Sequence, residues 1–221
     1  MKKYQYILLD LDGTLTDPAQ GITNSICHAL KHWGMEESDR NKLYRFIGPP
    51  LKQSFINYYN FSPAQAEEAV AQYREYFSVK GIFENLLYPG IPELLQTLCE
   101  QKKRVILATS KPHIFARRIL EHFDLLPYFT EISGSELDGS RVEKAEVISY
   151  ALSQAGVEKG EYTSVVMVGD RSYDMDGAEK NGIDSVAVLY GYGSKEELAG
   201  ARPTFMAETV TELSRILCGD M

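Results

Sequence analysis

Four aspartates carry the strongest chemical signal in this chain of 221 residues. Asp10 and Asp12 follow the apolar run Tyr6-Ile7-Leu8-Leu9, and Asp170 and Asp174 follow Ser164-Val165-Val166-Met167-Val168-Gly169. Apolar runs of this kind read as strands buried on both faces, and in an open α/β sheet the ligand crevice lies outside the carboxyl ends of such strands. Carboxylates converging there repel one another and lose hydration. A hard divalent cation removes the conflict. An all-oxygen ligand set with an incomplete protein shell suits Mg2+, which keeps waters and accepts a phosphate oxygen. Asp12 before Gly13 is also an ordinary turn former. The same pattern at two strand ends is what points to a cation.

The elements that must position these groups follow from the apolar periodicity. Arg104-Val105-Ile106-Leu107-Ala108-Thr109 reads as a further strand, and Ser185-Val186-Ala187-Val188-Leu189 as a weaker one. Between them, Ile91, Leu94, Leu95 and Leu98, and then Val147, Ile148, Ala151 and Leu152, recur at helical spacing. Alternating strand and helix predicts an α/β fold, a doubly wound, mostly parallel sheet of the Rossmann-like kind. The stretch from Thr16 to Tyr88 differs, because it contains no strand-like run. Ile22, Ile26, Ala29, Leu30 and Trp33 form one helical stripe, and Ala66, Val70, Tyr73 and Phe77 another. Ser62-Pro63-Ala64-Gln65 is a helix start with a capping box and a proline in the first turn, and Gly81 is the expected stop. The expected division is therefore an α/β catalytic core of residues 1–15 and 88–221 and an inserted all-helical cap of residues 16–87. Asp17-Pro18 and Tyr88-Pro89-Gly90 are the candidate hinges.

Asp10-Leu11-Asp12-Gly13-Thr14-Leu15-Thr16-Asp17 resembles the first motif of the haloacid dehalogenase superfamily of phosphatases. Val105-Ile106-Leu107-Ala108-Thr109-Ser110-Lys111-Pro112 resembles the second, Lys144 at a helix start the third, and Gly169-Asp170-Arg171-Ser172-Tyr173-Asp174 the fourth. All four stand in family order, and the helical insert is similar to the cap of the phosphoglycolate phosphatase-like branch. The resemblance implies roles that fit the chemistry. Asp10 is the nucleophile that forms an aspartyl phosphate. Asp12 is the acid that protonates the leaving oxygen and then the base that activates water, and it reaches the metal through its backbone carbonyl. The metal residues are then Asp10, Asp12, Asp170 and Asp174, with Asp174 either a direct ligand or one that orients the site. Thr109 and Ser110 bind the phosphoryl oxygens, and Lys144 supplies positive charge to the transferring group. By residue type alone Thr109 is an ordinary strand residue and Lys144 an ordinary surface lysine, with Arg141 competing for the same duty. Ala145 stands where the family often has Pro or Gly.

The substrate is written less plainly. Arg45-Phe46-Ile47-Gly48-Pro49-Pro50-Leu51-Lys52 interrupts the helical pattern with two cations flanking a rigid turn. Arg45 and Lys52 either meet an anionic substrate or flank a solvated turn. The run resembles the specificity loop of capped relatives, above all at Arg45. Phe55, Tyr58, Tyr59, Phe61, Tyr73, Tyr76 and Phe77 at helical spacing read as packing more readily than as a nucleobase platform. His28, His32, His113 and His122 form no ligand motif. Tyr190-Gly191-Tyr192-Gly193-Ser194 reads as a flexible wall of the crevice or as a glycine turn.

Composition limits the remaining classes. A net charge of −8 argues against a nucleic-acid partner, since no basic surface replaces counterions. The three cysteines match no metal spacing and read as free thiols of a reducing compartment. No apolar stretch reaches the ~18 residues of a membrane span, so the expected location is the cytoplasm and the expected assembly a monomer or small homo-oligomer. The expected activity is hydrolysis of a small phosphate monoester, phosphoglycolate or a 5'-nucleotide. A phosphosugar mutase with the same Asp10 chemistry is the alternative, and a non-catalytic relative a weaker one. Dehalogenation does not need the second carboxylate, Asp12.

Overall fold

The computed structural model describes residues 4–219. The chain divides into two compact units, one of Met1–Thr16 with Leu87–Met221 and one of Asp17–Leu86. In chain order the elements are β1 (Tyr6–Leu9), β2 (Thr16–Asp17), α1 (Ala19–Lys31), α2 (Leu51–Tyr59), α3 (Pro63–Phe77), β3 (Leu86–Leu87), α4 (Ile91–Glu100), β4 (Arg104–Pro112), α5 (His113–His122), β5 (Glu131–Ser135), α6 (Lys144–Gln154), β6 (Val165–Gly169), α7 (Ser172–Asn181), β7 (Asp184–Val188), α8 (Lys195–Gly200), β8 (Phe205–Ala207) and α9 (Val210–Cys218). Short 3-10 turns connect several of them, including Arg40–Phe46 and Gly81–Phe83.

The larger unit is built on a six-stranded sheet of order β5-β4-β1-β6-β7-β8. Every pairing in it is parallel. The apolar runs of β1, β4 and β6 form its centre because side chains on both faces are buried. Tyr6, Leu8, Ile106, Ala108, Val165 and Met167 point to one face, where Val147, Ile148, Ala151 and Leu152 of α6 and Ala178 of α7 cover them. Their alternates Ile7, Leu9, Val105, Leu107, Val166 and Val168 are also fully buried. Helices α4 and α9 pack on each other, and α4 also on β4. After β1 the chain builds the sheet outward through β4 and β5, then returns to β1's other side for β6, β7 and β8. The order thus reverses beside β1, where parallel sheets form their ligand crevice. The parallel α/β fold expected from the periodicity is the one observed.

The smaller unit is helical. Ser62 caps α3, accepting from the Gln65 backbone N–H at 3.3 Å, while the Gln65 side chain accepts from the Ser62 N–H at 2.9 Å. Burial of Phe46, Phe55, Phe61, Ala66, Ala69, Tyr73 and Phe77 makes an aromatic-rich core. Phe55 and Phe61 stack with ring centres 5.9 Å apart, and Trp33 packs on Phe61 at 4.9 Å. These rings serve packing, and four of the seven aromatics named from the sequence, Phe55, Phe61, Tyr73 and Phe77, are buried. One local expectation is corrected. Helix α3 ends at Phe77, before Gly81. Gly81 instead allows a close crossing with α1, since a methyl on it would lie 2.6 Å from Ser25 Oγ and 2.9 Å from the Gly21 carbonyl oxygen. Among the described residues no helix is long and apolar enough to cross a membrane, and Cys27, Cys99 and Cys218 form no disulfide.

Candidate active site

The neighbouring strands bring the four aspartates to one edge. Strands β1 and β6 pair in parallel with Leu9 opposite Val168, and the Asp10 N–H donates to the Val168 carbonyl at 3.0 Å. Asp10 and Asp170 therefore leave the sheet side by side. Beyond Asp10 the chain turns tightly, with the Leu15 and Thr16 N–H groups both donating to the Leu11 carbonyl at 2.9 and 3.0 Å. Gly13 takes φ +83° in this turn, and a methyl there would lie 2.1 Å from Asp170 Oδ2. The turn needs a glycine both for its left-handed backbone and for the closeness of Asp170. Asp174 arrives from the first turn of α7, where it accepts from the Arg171 N–H at 3.2 Å. Its carboxylate occupies the space where a Gly169 side chain would be, 2.1 Å from the site of such a Cβ.

Lys144, the first residue of α6, ties the cluster together and is 6% exposed. Its Nζ lies 2.9 Å from Asp10 Oδ1 and 2.8 Å from Asp174 Oδ1, and donates to the Ala108 carbonyl of β4 at 3.2 Å. Burial disfavours its charge, but Asp10 and Asp174 outweigh burial and hold the ammonium above its ordinary range. Arg141, the competing cation, is engaged elsewhere. It pairs with Glu136, donates to the Gly134 carbonyl at 2.9 Å, and lies 3.7 Å from the centre of the Tyr150 ring.

One ammonium is too little charge for this pocket. Asp170 and Asp174 are each 1% exposed. Burial pushes the carboxyl of Asp170 well up, and its neighbours Asp174 and Asp10 push it further. Asp174 is also raised, by burial and by Asp10, although Lys144 opposes the shift. Asp170 Oδ1 is buried and accepts no hydrogen bond. Asp10, Asp170 and Asp174 offer oxygen atoms that all lie within 4.8 Å of one another. Three buried carboxylates, one with an oxygen lacking a donor, fit a divalent cation with oxygen preference.

Asp12 is set apart from that group. Its Oδ2 pairs with Lys111 Nζ at 2.8 Å, and its Oδ1 is buried without a hydrogen-bond donor. Burial raises the Asp12 carboxyl, Lys111 lowers it and Asp10 raises it, with a net upward shift. Lys111 was not singled out from the sequence. Its side chain is only 7% exposed. The available signal is the spacing, since Lys111 follows Thr109 by two residues at the end of β4. Thr109 is buried, and its Oγ1 accepts from the Lys111 N–H at 3.3 Å, which leaves the hydroxyl hydrogen for another acceptor. The Ser110 carbonyl accepts from the Ser135 hydroxyl at 2.7 Å.

Within the helical unit, Arg45 is exposed on the 3-10 turn Arg40–Phe46 with its guanidinium 4.0 Å from the centre of the Tyr58 ring. Lys52, the second residue of α2, pairs with Glu67 of α3. Tyr190–Ser194, which the sequence reads as a flexible wall or a glycine turn, runs through turn and bends, and its Tyr192 N–H donates to Asp170 Oδ2 at 2.8 Å.

A family model described as haloacid dehalogenase-like hydrolase matches residues 7–188. A 5'-nucleotidase of Pseudomonas aeruginosa is 45% identical over 97% of this chain and 96% of its own length. The tyrosine-protein kinase PtkA of Mycobacterium tuberculosis is 40% identical over 96% of this chain and 72% of its own. The crystal structure of a predicted phosphatase from Clostridium acetobutylicum superposes with a TM-score of 0.94 at 44% identity, covering 98% of this chain and 99% of that one.

Proposed function

Because the chain belongs to the haloacid dehalogenase-like hydrolases, as a phosphatase of phosphate monoesters, we propose that it is a Mg2+-dependent phosphatase that works through Asp10 and Asp12, with a 5'-nucleotide as the preferred substrate class. The observation that carries the reading is the buried cluster of Asp10, Asp170, Asp174 and Lys144. Asp10 and Asp170 would hold the ion with Asp174 beside them, and Asp12 would add its backbone carbonyl. The ion, when bound, neutralises the carboxylates and polarises a phosphoryl oxygen.

The residues divide the work by charge. Asp10 is held beside the Lys144 ammonium and acts as an anion. One of its oxygens attacks phosphorus, the bond from phosphorus to the leaving oxygen breaks, and an aspartyl phosphate forms. Asp12, whose carboxyl is raised by burial, gives its proton to the leaving oxygen. A water then attacks phosphorus, Asp12 takes the water's proton, and the bond from phosphorus to the Asp10 oxygen breaks. Phosphate leaves, and both aspartates return to their starting states. Thr109 has a hydroxyl hydrogen available for a phosphoryl oxygen, and Lys144 spreads positive charge over the transferring group. In the helical unit, Arg45 is the candidate for meeting the rest of the substrate. The substrate class is supported by the P. aeruginosa 5'-nucleotidase, which is 45% identical. The helical unit would act as the cap.

The test is release of inorganic phosphate from a panel of 5'-nucleotides, phosphoglycolate and hexose phosphates, with Mg2+ and with chelator. Turnover of 5'-nucleotides that stops with chelator and with Asp10→Asn is the expected result. Turnover that survives either change would overturn the mechanism. Preference for phosphoglycolate would overturn the substrate class alone.

A further inference from the structure

The proposed chemistry makes no use of the segment Tyr190–Gly193, which follows β7. Its backbone nonetheless lies directly on Asp170. The Tyr192 N–H donates to Asp170 Oδ2 at 2.8 Å. A methyl on Gly191 would lie 2.4 Å from Asp170 Cβ and 2.4 Å from the Gly13 carbonyl oxygen. One on Gly193 would lie 2.1 Å from the Asp170 carbonyl oxygen. No side chain tolerates such distances, so the segment approaches only because these positions are glycine. Tyr190 anchors it, donating its hydroxyl to the Thr14 carbonyl at 3.1 Å and packing edge-on against Tyr88 at 4.9 Å. The two oxygens of Asp170 therefore differ. Oδ2 is enclosed and hydrogen-bonded, whereas Oδ1 is buried with no donor.

We propose that Tyr190–Gly193 is a positioning strap that turns Asp170 so that Oδ1 alone is offered to the divalent cation, and thereby sets how tightly the site holds it. The inference rests on the reading of Asp170 as a metal ligand. A carboxylate rotates readily about its last torsion. A fixed partner on one oxygen selects a single orientation before the ion arrives, and partners of this kind contribute about 10- to 100-fold to metal affinity. The strap touches no substrate group in this scheme and acts only through Asp170.

The experiment is titration of Mn2+ alone, without substrate, into metal-free protein, with the electron paramagnetic resonance signal of the free ion as readout. Four variants are compared with the wild type, and the melting temperature of each is measured without metal. Asp170→Asn is expected to abolish tight binding. Gly191→Ala is expected to weaken it about tenfold or more. Tyr190→Phe, which removes only the hydroxyl contact to Thr14, is expected to weaken it about threefold. Gly200→Ala, where a methyl meets nothing within 4 Å, is expected to bind as the wild type does. Wild-type binding by Asp170→Asn would remove the metal reading itself, and the inference with it. Loss in Asp170→Asn with wild-type affinity in folded Gly191→Ala and Tyr190→Phe would keep the metal reading and overturn the strap. A lower melting temperature in Gly191→Ala without weaker binding would also overturn it. If Gly191→Ala does not fold, Tyr190→Phe decides, since weaker binding supports the strap and unchanged binding overturns it.

Discussion

The two units of this protein bury opposite things. The α/β unit places Asp10, Asp170, Asp174 and Lys144 in its interior and fixes each through its neighbours. The helical unit buries Phe46, Phe55, Phe61 and Tyr73 and leaves Arg45 and Lys52 on its outside. The first arrangement is costly, because buried charges must be matched one by one. It makes the geometry hard to change. The second is cheap, because exposed cations pack on rings or pair in water and can be exchanged with little loss. A protein built this way can keep its buried cluster while its exposed cations change.

The contrast is most directly broken at Lys144. Lys144→Met leaves Asp10 and Asp174 without their shared cation. Phosphate release is expected to fall by about 10²- to 10³-fold. The metal-free protein should lose on the order of 3 kcal/mol, read as a lower denaturation midpoint. Retention of both would show that the lysine is ornamental to the cluster.

Next in size is the pH response of the metal-free protein. Burial raises the folded carboxyls of Asp170, Asp174 and Asp12 above their unfolded values. Groups of this kind favour the folded state below the unfolded pKa of about 4, and that contribution is lost as pH rises through the folded values. Lys144 is raised as well, and its contribution persists through neutrality and is lost only in alkali. Mg2+ should therefore raise the melting temperature more at pH 7.5 than at pH 5, and Asp170→Asn should flatten the difference. An equal gain at both values would contradict the charge account.

The smaller effects belong to the helical unit. Arg45→Ala is expected to raise KM for a 5'-nucleotide about fivefold with kcat unchanged, the pattern of lost uniform binding. A fall in kcat instead would place Arg45 in the reaction itself. Lys52→Ala breaks an exposed pair with Glu67, and unfolding in denaturant should move by no more than about 0.5 kcal/mol.

Legibility in the sequence follows the same division. Strands β1, β4 and β6 are plain as continuous apolar runs because they are buried on both faces. Strand β5 reads Glu-Ile-Ser-Gly-Ser and β8 only Phe-Met-Ala, so neither carries a pattern long enough to identify. The closeness of Asp10 and Asp170 follows from the pairing of β1 with β6, which strand order alone could not specify. The Lys111–Asp12 pair and the glycine contacts on Asp170 depend on register and on sub-ångström packing. Such contacts leave no periodic trace. Arg45 stood out as a cation beside a glycine and two prolines, and its place over Tyr58 depended on the fold of that turn.

The burial of Lys144 has a consequence for chemical labelling. Reagents that acylate amines need a neutral, reachable nitrogen, and this one is enclosed and held as a cation between two carboxylates. It would stay unmarked in the folded chain while lysines at the surface, such as Lys52 and Lys195, take the label. Its appearance among the modified positions would then record the opening of the buried cluster, and a single mass-spectrometric peak would serve as a clock for that event.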